Sequence, residues 1–272
     1  MKIKELLANA YRSSTLLPGE IDSILGITLH KTKEYVYKKS DKNLTFATIK
    51  KFKKLIKKRE ADWPMAYLRG WQEFYGLKFL VNKNTLIPRP DSELIIDTSL
   101  DFLKKKKKLN ILDIGTGSAC LIIALAKNSL NNNYFASDIS KSALKIAKTN
   151  ARKNKVKINF IHSNLLKNIS KQKFDLIVAN LPYLKHEQME EPSIKKEPRS
   201  ALLSGKQGLD HYTKLLSNIA EYLNKKFLIL LEIDPQQNTA IKNLIKKYLP
   251  KANIEIIQDL NKLDRLVKIS SK

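Results

Sequence analysis

From Leu109 onward the chain alternates between two hydrophobic rhythms. Apolar runs at 109–114, 133–137, 157–161, 174–179 and 227–233 read as strands buried on both faces. Between them, 119–128, 140–153, 210–223 and 236–248 carry apolar residues at three- and four-residue spacing, the rhythm of amphipathic helices. Two last strand-like segments lie near 253–257 and 265–269. Strands alternating with helices predict an α/β fold, with a parallel sheet covered on both faces. Ligands of such sheets bind outside the carboxyl ends of the strands.

Residues 1–76 keep a helical rhythm instead. Ile3, Leu6, Leu7 and Ala10 share one helix face, and Ile21, Ile24 and Leu25 share a second after the Pro18-Gly19 break. Residues 44–58 predict a third helix, with Phe46, Ile49, Phe52, Leu55 and Ile56 on its apolar side. Asp62 before Trp63-Pro64 is the expected N-cap of the next turn. Two β-prone segments, 77–81 and 85–87 around Asn82-Lys83-Asn84, predict a hairpin linker over 77–87. Pro88-Arg89-Pro90-Asp91-Ser92-Glu93 then opens a helix to about Leu103, with acceptors and negative charge at its positive end. The expected domains are therefore 1–76, the linker 77–87, and 88–272.

Composition changes this picture little. The 272 residues are 43% hydrophobic, as in soluble globular proteins, and no apolar run is long enough to span a membrane. The lone cysteine, Cys120, argues against a disulfide framework and fits a reducing cytoplasm, the expected location. A net charge of +25 implies a weak attraction to nucleic acid. Only seven of the 51 basic residues are Arg, so bidentate phosphate or base recognition is not what the chain is rich in. Runs such as 104–108 fall between elements and read as solvated linker. A monomer is expected, and no metal-ligand cluster is apparent.

Two stretches carry candidate chemistry. After the strand at 109–114, Gly115-Thr116-Gly117-Ser118-Ala119 forms a turn whose glycines admit close backbone approach to a ligand. Cys120 stands where a dinucleotide fingerprint needs its last glycine, and no Lys-Ser/Thr pair follows, so a cofactor without a phosphate cradle is expected. Asp138 ends the next strand, 21 residues past Gly117, where an acid accepts from ribose hydroxyls. The second stretch is Asn180-Leu181-Pro182-Tyr183, at the carboxyl end of the strand 174–179. An amide or amino-purine nitrogen is a poor nucleophile, because its lone pair is delocalised. The Asn180 side-chain oxygen and the Leu181 carbonyl can accept both of its N–H bonds and aim it, while Tyr183 packs against the planar group.

Strand, glycine turn, helix, strand and acid resemble the S-adenosylmethionine-binding half of the seven-strand, Rossmann-like methyltransferases. That resemblance places Asn164 and Leu165 at the adenine, with Asn164 where an acid is usual. Over nearly its whole length the chain further resembles the release factor glutamine methyltransferase family (PrmC/HemK). The resemblance is carried by Pro64 to Gly70, Pro88 to Glu93, the glycine turn, Asn180 to Tyr183, Glu197 to Leu202 with Gly208-Leu209-Asp210, and Asp264-Arg265. It implies methyl transfer from S-adenosylmethionine to the glutamine amide of the Gly-Gly-Gln loop in class I peptide chain release factors. The helical N-terminal domain would then help to hold that protein. Three positions depart from the family pattern: Ala119 for a third glycine, Asn164 for the acid, and Leu181 for the first proline of Asn-Pro-Pro-Tyr. Asn-Leu-Pro-Tyr is also the form found in ribosomal RNA adenine methyltransferases. An RNA adenine methyltransferase, or a non-catalytic ribosome- or RNA-binding relative, therefore stays open at this point.

Overall fold

The computed structural model of the chain describes every residue except Lys105 and Ser193. One residue of the basic run 104–108, Lys105, thus lies outside the described residues. The chain divides into two compact units, Met1–Trp71 with Pro192–Lys196, and Gln72–Glu191 with Glu197–Lys272.

The first unit is helical: α1 (Ile3–Ser13), α2 (Pro18–Leu29), α3 (Lys33–Lys38), α4 (Phe46–Glu60) and α5 (Met65–Arg69). Ile3, Leu6, Ile21, Ile24, Leu25 and Phe52 form its core, as their spacing requires. The short α3 was not legible, because Val36 is its single buried residue and one position makes no period. Thr32 and Thr45 cap α3 and α4 through their hydroxyls. Asp62 does not cap the following helix. It sits in the left-handed region at φ 62°, and Pro64 takes the cap position of α5.

The hairpin falls earlier than its sequence signal. It is β1 (Trp71–Phe74) and β2 (Leu77–Leu80), turned at Tyr75-Gly76, where both residues have positive φ. That geometry gives a two-residue connection the twist of its strands. Asn82-Lys83-Asn84 forms a side-chain-closed turn instead: the Asn84 N–H donates to Asn82 Oδ1 at 2.9 Å, and no strand follows.

After α6 (Glu93–Leu103) the alternation proceeds as β3 (Asn110–Ile114), α7 (Cys120–Asn128), β4 (Asn133–Asp138), α8 (Lys141–Lys153), β5 (Asn159–His162), β6 (Phe174–Ala179), α9 (Asp210–Ile219), β7 (Leu223–Glu232), α10 (Asn238–Tyr248), β8 (Asn253–Gln258) and β9 (Asp264–Ser270). Seven strands form one sheet in the order β5-β4-β3-β6-β7-β9-β8. β3 to β7 are parallel, while β9 runs antiparallel to both β7 and β8. The sheet is therefore mixed rather than wholly parallel, since a short β8–β9 connection can only reverse the chain. Two apolar layers cover it. One contains Ile111, Ile122 and Val178; the other contains Leu112, Ile177 and Tyr212. Strand order reverses between β3 and β6, whose ends stand in register at Ile114 and Ala179. Gly115 and Asn180 thus leave adjacent strands at the same level.

Candidate functional site

A cavity of about 280 Å³ opens at this reversal, where the loops after β3 and β6 diverge. Gly115, Gly117, Asp138, Asn164, Leu165 and Asn180 line it, and Leu181 and Pro182 complete the wall beside Asn180. The residues singled out at the strand ends therefore share one space.

The glycine turn is held from behind. Thr116 and Ser118 are buried and do not line the cavity. The Thr116 hydroxyl donates to Asp113 Oδ2 at 2.5 Å, and the Ser118 carbonyl accepts from Asn150 Nδ2 at 2.9 Å. Gly117 lies at φ 54°, and a Cβ there would meet no atom within 4 Å, so its missing side chain leaves room in the cavity. Ala119 is wholly buried at φ 65° at the start of α7. The left-handed conformation costs an L-residue about 1–2 kcal/mol, offset in part by roughly 0.8 kcal/mol from its buried methyl group.

Asp138 accepts from the Gly117 N–H at 2.8 Å through Oδ2 and from the Ser140 N–H at 2.7 Å through Oδ1, so each oxygen keeps a free lone pair. Burial pushes its carboxyl above the ordinary value, against the pull of those two amides. Behind it, Asp113 is fully buried, and its Oδ1 has no partner in hydrogen-bonding geometry among the described residues. Burial, reinforced by the charge of Asp138, raises Asp113 to about 7, while the Thr116 hydroxyl acts in the opposite direction. The folded state thus holds a proton on Asp113 that the unfolded chain releases near pH 4. This contribution to stability is complete below the unfolded value and is lost as pH rises through about 7. The expected slope approaches ~1.4 kcal/mol per pH unit between those limits. Urea titrations at pH 5, 6 and 7 should show the decline, and Asp113→Asn should flatten it.

Asn164 is exposed on the cavity rim, and Leu165 beside it adopts φ 51°. Ser163, buried and unremarked in sequence, fixes that turn by donating from Oγ to the Leu165 carbonyl at 2.8 Å.

Around Asn180 the contacts come from distant parts of the chain. Asn180 Nδ2 donates to Ser92 Oγ at 3.0 Å, and Ser92 Oγ donates to Glu232 Oε2 at 2.5 Å. The other oxygen of Glu232 accepts from the Tyr183 hydroxyl at 3.2 Å. Asn180 Oδ1 and the Leu181 carbonyl accept no hydrogen bond among the described residues. Tyr183 is not among the lining residues: its hydroxyl is turned to Glu232, and its carbonyl accepts from Gln237 Nε2 at 2.9 Å. Burial and the Glu232 charge raise its phenol.

Leu181 is buried, with its N–H 3.4 Å from the Tyr212 hydroxyl and its Cδ2 2.8 Å from where a Gly115 Cβ would stand. The bulk at position 181 and the absence of bulk at position 115 are therefore complementary. Leu181→Pro keeps the carbonyl, loses one long N–H bond worth at most about 1 kcal/mol, and restores a fixed φ. Its turnover should stay within about tenfold of the unaltered protein, as a methyl-transfer assay would check.

The segment Pro88 to Glu93 is the junction of the site. Arg89 forms an ion pair with the buried Glu197, whose Oε2 also accepts from the Ile87 N–H at 2.9 Å. Asp91 lies 3.5 Å from Arg265, and Glu93 accepts from the Tyr75 N–H at 2.7 Å. Ser92 does not cap α6 with its side chain, which is committed to Glu232. Sequence reasoning missed Glu232, although a carboxylate closing the apolar run 227–233 was a signal. It also missed His211, which lines the cavity with Nδ1 2.7 Å from the buried Ser204 Oγ.

The PrmC N-terminal domain family matches residues 3–70, and the Methyltransferase small domain family matches residues 92–200. The chain is 36% identical to a bifunctional methyltransferase of Rickettsia prowazekii, over 98% of this chain and 57% of that protein. It thus spans little more than half the length of that relative. It is 35% identical to the release factor glutamine methyltransferase of Bacillus cereus, over 80% of each chain. The crystal structure of a methyltransferase from Pyrococcus furiosus shares the fold at TM-score 0.55 and 19% identity, covering 72% of this chain and 90% of that one. Matched in its N-terminal helices and in its sheet domain, the chain belongs to the release factor glutamine methyltransferase (PrmC/HemK) family.

Proposed function

We propose that the chain transfers a methyl group from S-adenosylmethionine to the side-chain amide nitrogen of the glutamine in the Gly-Gly-Gln loop of class I peptide chain release factors. The observation that carries this reading is the state of Asn180. One hydrogen of its NH2 goes to Ser92, which fixes the orientation of the amide and leaves Oδ1 and the neighbouring Leu181 carbonyl as two acceptors beside the cavity. Two acceptors side by side suit a group with two N–H bonds and one reactive nitrogen. Held by both, the nitrogen is aimed without being deprotonated. No base is needed beforehand, because its surplus proton leaves after transfer, from a cation.

The residues present fit the donor. Asp138 lines the cavity and retains acceptor capacity, and Gly117 leaves open space. These features suit a ligand bearing hydroxyl groups. Gly115, Gly117, Asp138, Asn164 and Leu165 would hold it, supported by Thr116, Ser118 and Ala119. Bound there, S-adenosylmethionine would supply an electrophilic methyl group. The helices of residues 1–71 are read as the part that engages the release factor. Among the described residues no helix is long and apolar enough to cross a membrane.

The decisive experiment incubates the protein with methyl-labelled S-adenosylmethionine and either a class I release factor or ribosomal RNA. Label on the loop glutamine is the expected result. Label in RNA alone would overturn the reading in favour of adenine methylation, the outcome that Leu181 would then explain.

A further inference from the structure

Resting on that reading, we propose that Ser92 and Glu232 are positioning residues that lock Asn180 as a hydrogen-bond acceptor and so make the site select a carboxamide over a carboxylate of the same shape. The argument is a count of protons. A serine hydroxyl has one hydrogen, and an ionised carboxylate can only accept. Ser92 Oγ lies 2.5 Å from Glu232 Oε2, so its hydrogen is committed there. Ser92 can then only accept from Asn180, which must present Nδ2 at 3.0 Å and turn Oδ1 away. A flipped Asn180 would set its oxygen against the serine lone pairs with no hydrogen between them.

Burial raises the Glu232 carboxyl above its ordinary value, and the Ser92 hydroxyl, the Arg265 guanidinium and the Tyr183 hydroxyl act in the opposite direction, favouring the acceptor form. The Tyr183 hydroxyl donates to its other oxygen at 3.2 Å. Its backbone carbonyl accepts from the Tyr212 hydroxyl, which ties the strand end in place. The Arg265 guanidinium, paired with Asp259 at 3.2 Å and Asp91 at 3.5 Å, lends positive charge against the effect of burial. Ser92 and Glu232 are 3% and 2% exposed, so water does not compete for the relay.

Glutamine and glutamate side chains differ at one position, NH2 against oxygen. Opposite two fixed acceptors the carboxylate has no hydrogen to give and adds a negative charge. A site built to bond one partner rejects the analogue that lacks the bonding group, because its own polar atoms are left unpaired.

The test uses a class I release factor, the same factor with its loop glutamine changed to glutamate, and the Ser92→Ala, Ser92→Thr and Glu232→Gln variants. For the unaltered protein, the glutamate factor should compete at least about tenfold more weakly than the glutamine factor binds. Ser92→Ala should lower kcat about tenfold or more with donor affinity unchanged, and should narrow that discrimination, because Asn180 can then offer its NH2. Ser92→Thr, which keeps the hydroxyl, should restore both. Glu232→Gln should act in the direction of Ser92→Ala. Equal discrimination in the unaltered protein and in Ser92→Ala overturns the proposal. A second arm needs no substrate: the Asn180 side-chain amide resonance, identified by its loss in Asn180→Ala, should exchange slowly with solvent and lose that protection in Ser92→Ala. Unprotected exchange in the unaltered protein also overturns the locked orientation. Absence of any transfer to the release factor, with protection intact, overturns the functional reading and the selectivity while upholding the orientation.

Discussion

Asn180→Ala is expected to lower methyl transfer to the release factor by about a hundred- to a thousandfold while leaving the affinity for S-adenosylmethionine within about tenfold of the unaltered protein. The two effects separate because the two halves of the cavity have different owners. The donor half, as proposed, would rest on Gly115, Gly117 and Asp138, and the Gly117–Asp138 bond makes no use of Asn180. The acceptor half depends on Asn180 Oδ1, which together with the Leu181 carbonyl would set the direction of the reacting nitrogen. Loss of a preorganised polar group of this kind commonly lowers kcat by about a hundred- to a thousandfold. The fold should tolerate the change, since it removes one neutral hydrogen bond, to Ser92, worth about 1 kcal/mol. Calorimetry for the donor and single-turnover transfer for the acceptor would measure both halves. Unchanged turnover would remove Asn180 from the mechanism.

Gly208→Ala is expected to be the most damaging single-methyl change in the loop before α9. A Cβ at this position would lie 2.1 Å from the Tyr183 carbonyl oxygen and 2.3 Å from Gln237 Nε2, distances no side-chain carbon can occupy. The residue also sits at φ 71°, in the left-handed region. Backbone strain of about 1–2 kcal/mol and overpacking of about 1–3 kcal/mol together predict a loss near 3 kcal/mol. For a protein of this size that lowers Tm by roughly 6–12 °C. Because the clash falls on the Tyr183 carbonyl, relief requires Tyr183 or Gln237 to move, and transfer should fall with stability. Gly117→Ala is the contrast: its methyl would enter open space, so it should leave the melting temperature closer to normal and weaken donor binding. Equal melting temperatures for Gly208→Ala and the unaltered protein would refute the assignment.

Contacts of the same kind tie together stretches of this chain that lie far apart in sequence. Glu197 follows Pro88 to Glu93 because it pairs with Arg89, and Arg265 belongs with them because it meets Asp91. Gly208 belongs with Asn180 to Tyr183 because the Tyr183 carbonyl passes where its side chain would be. None of these pairings has a period or a spacing, so no local pattern could have announced them.

What the sequence by itself determined is everything that rests on periodicity and on strand ends. The apolar runs specified a buried sheet, and Gly115, Asp138 and Asn180 followed strands whose carboxyl ends must lie on one edge. Their convergence on one cavity was therefore legible from order alone. The hairpin, the cap at Asp62 and the helix α3 were misplaced or unseen, because each depends on φ values or single contacts rather than on a repeat. Only the tertiary structure decided which atoms of the site are free. Ser92 is 88 residues before Asn180, and its hydroxyl could have capped a helix. The carboxylate of Glu232, brought beside it by β7, claims that hydroxyl's one hydrogen and thereby leaves Asn180 with an oxygen to offer.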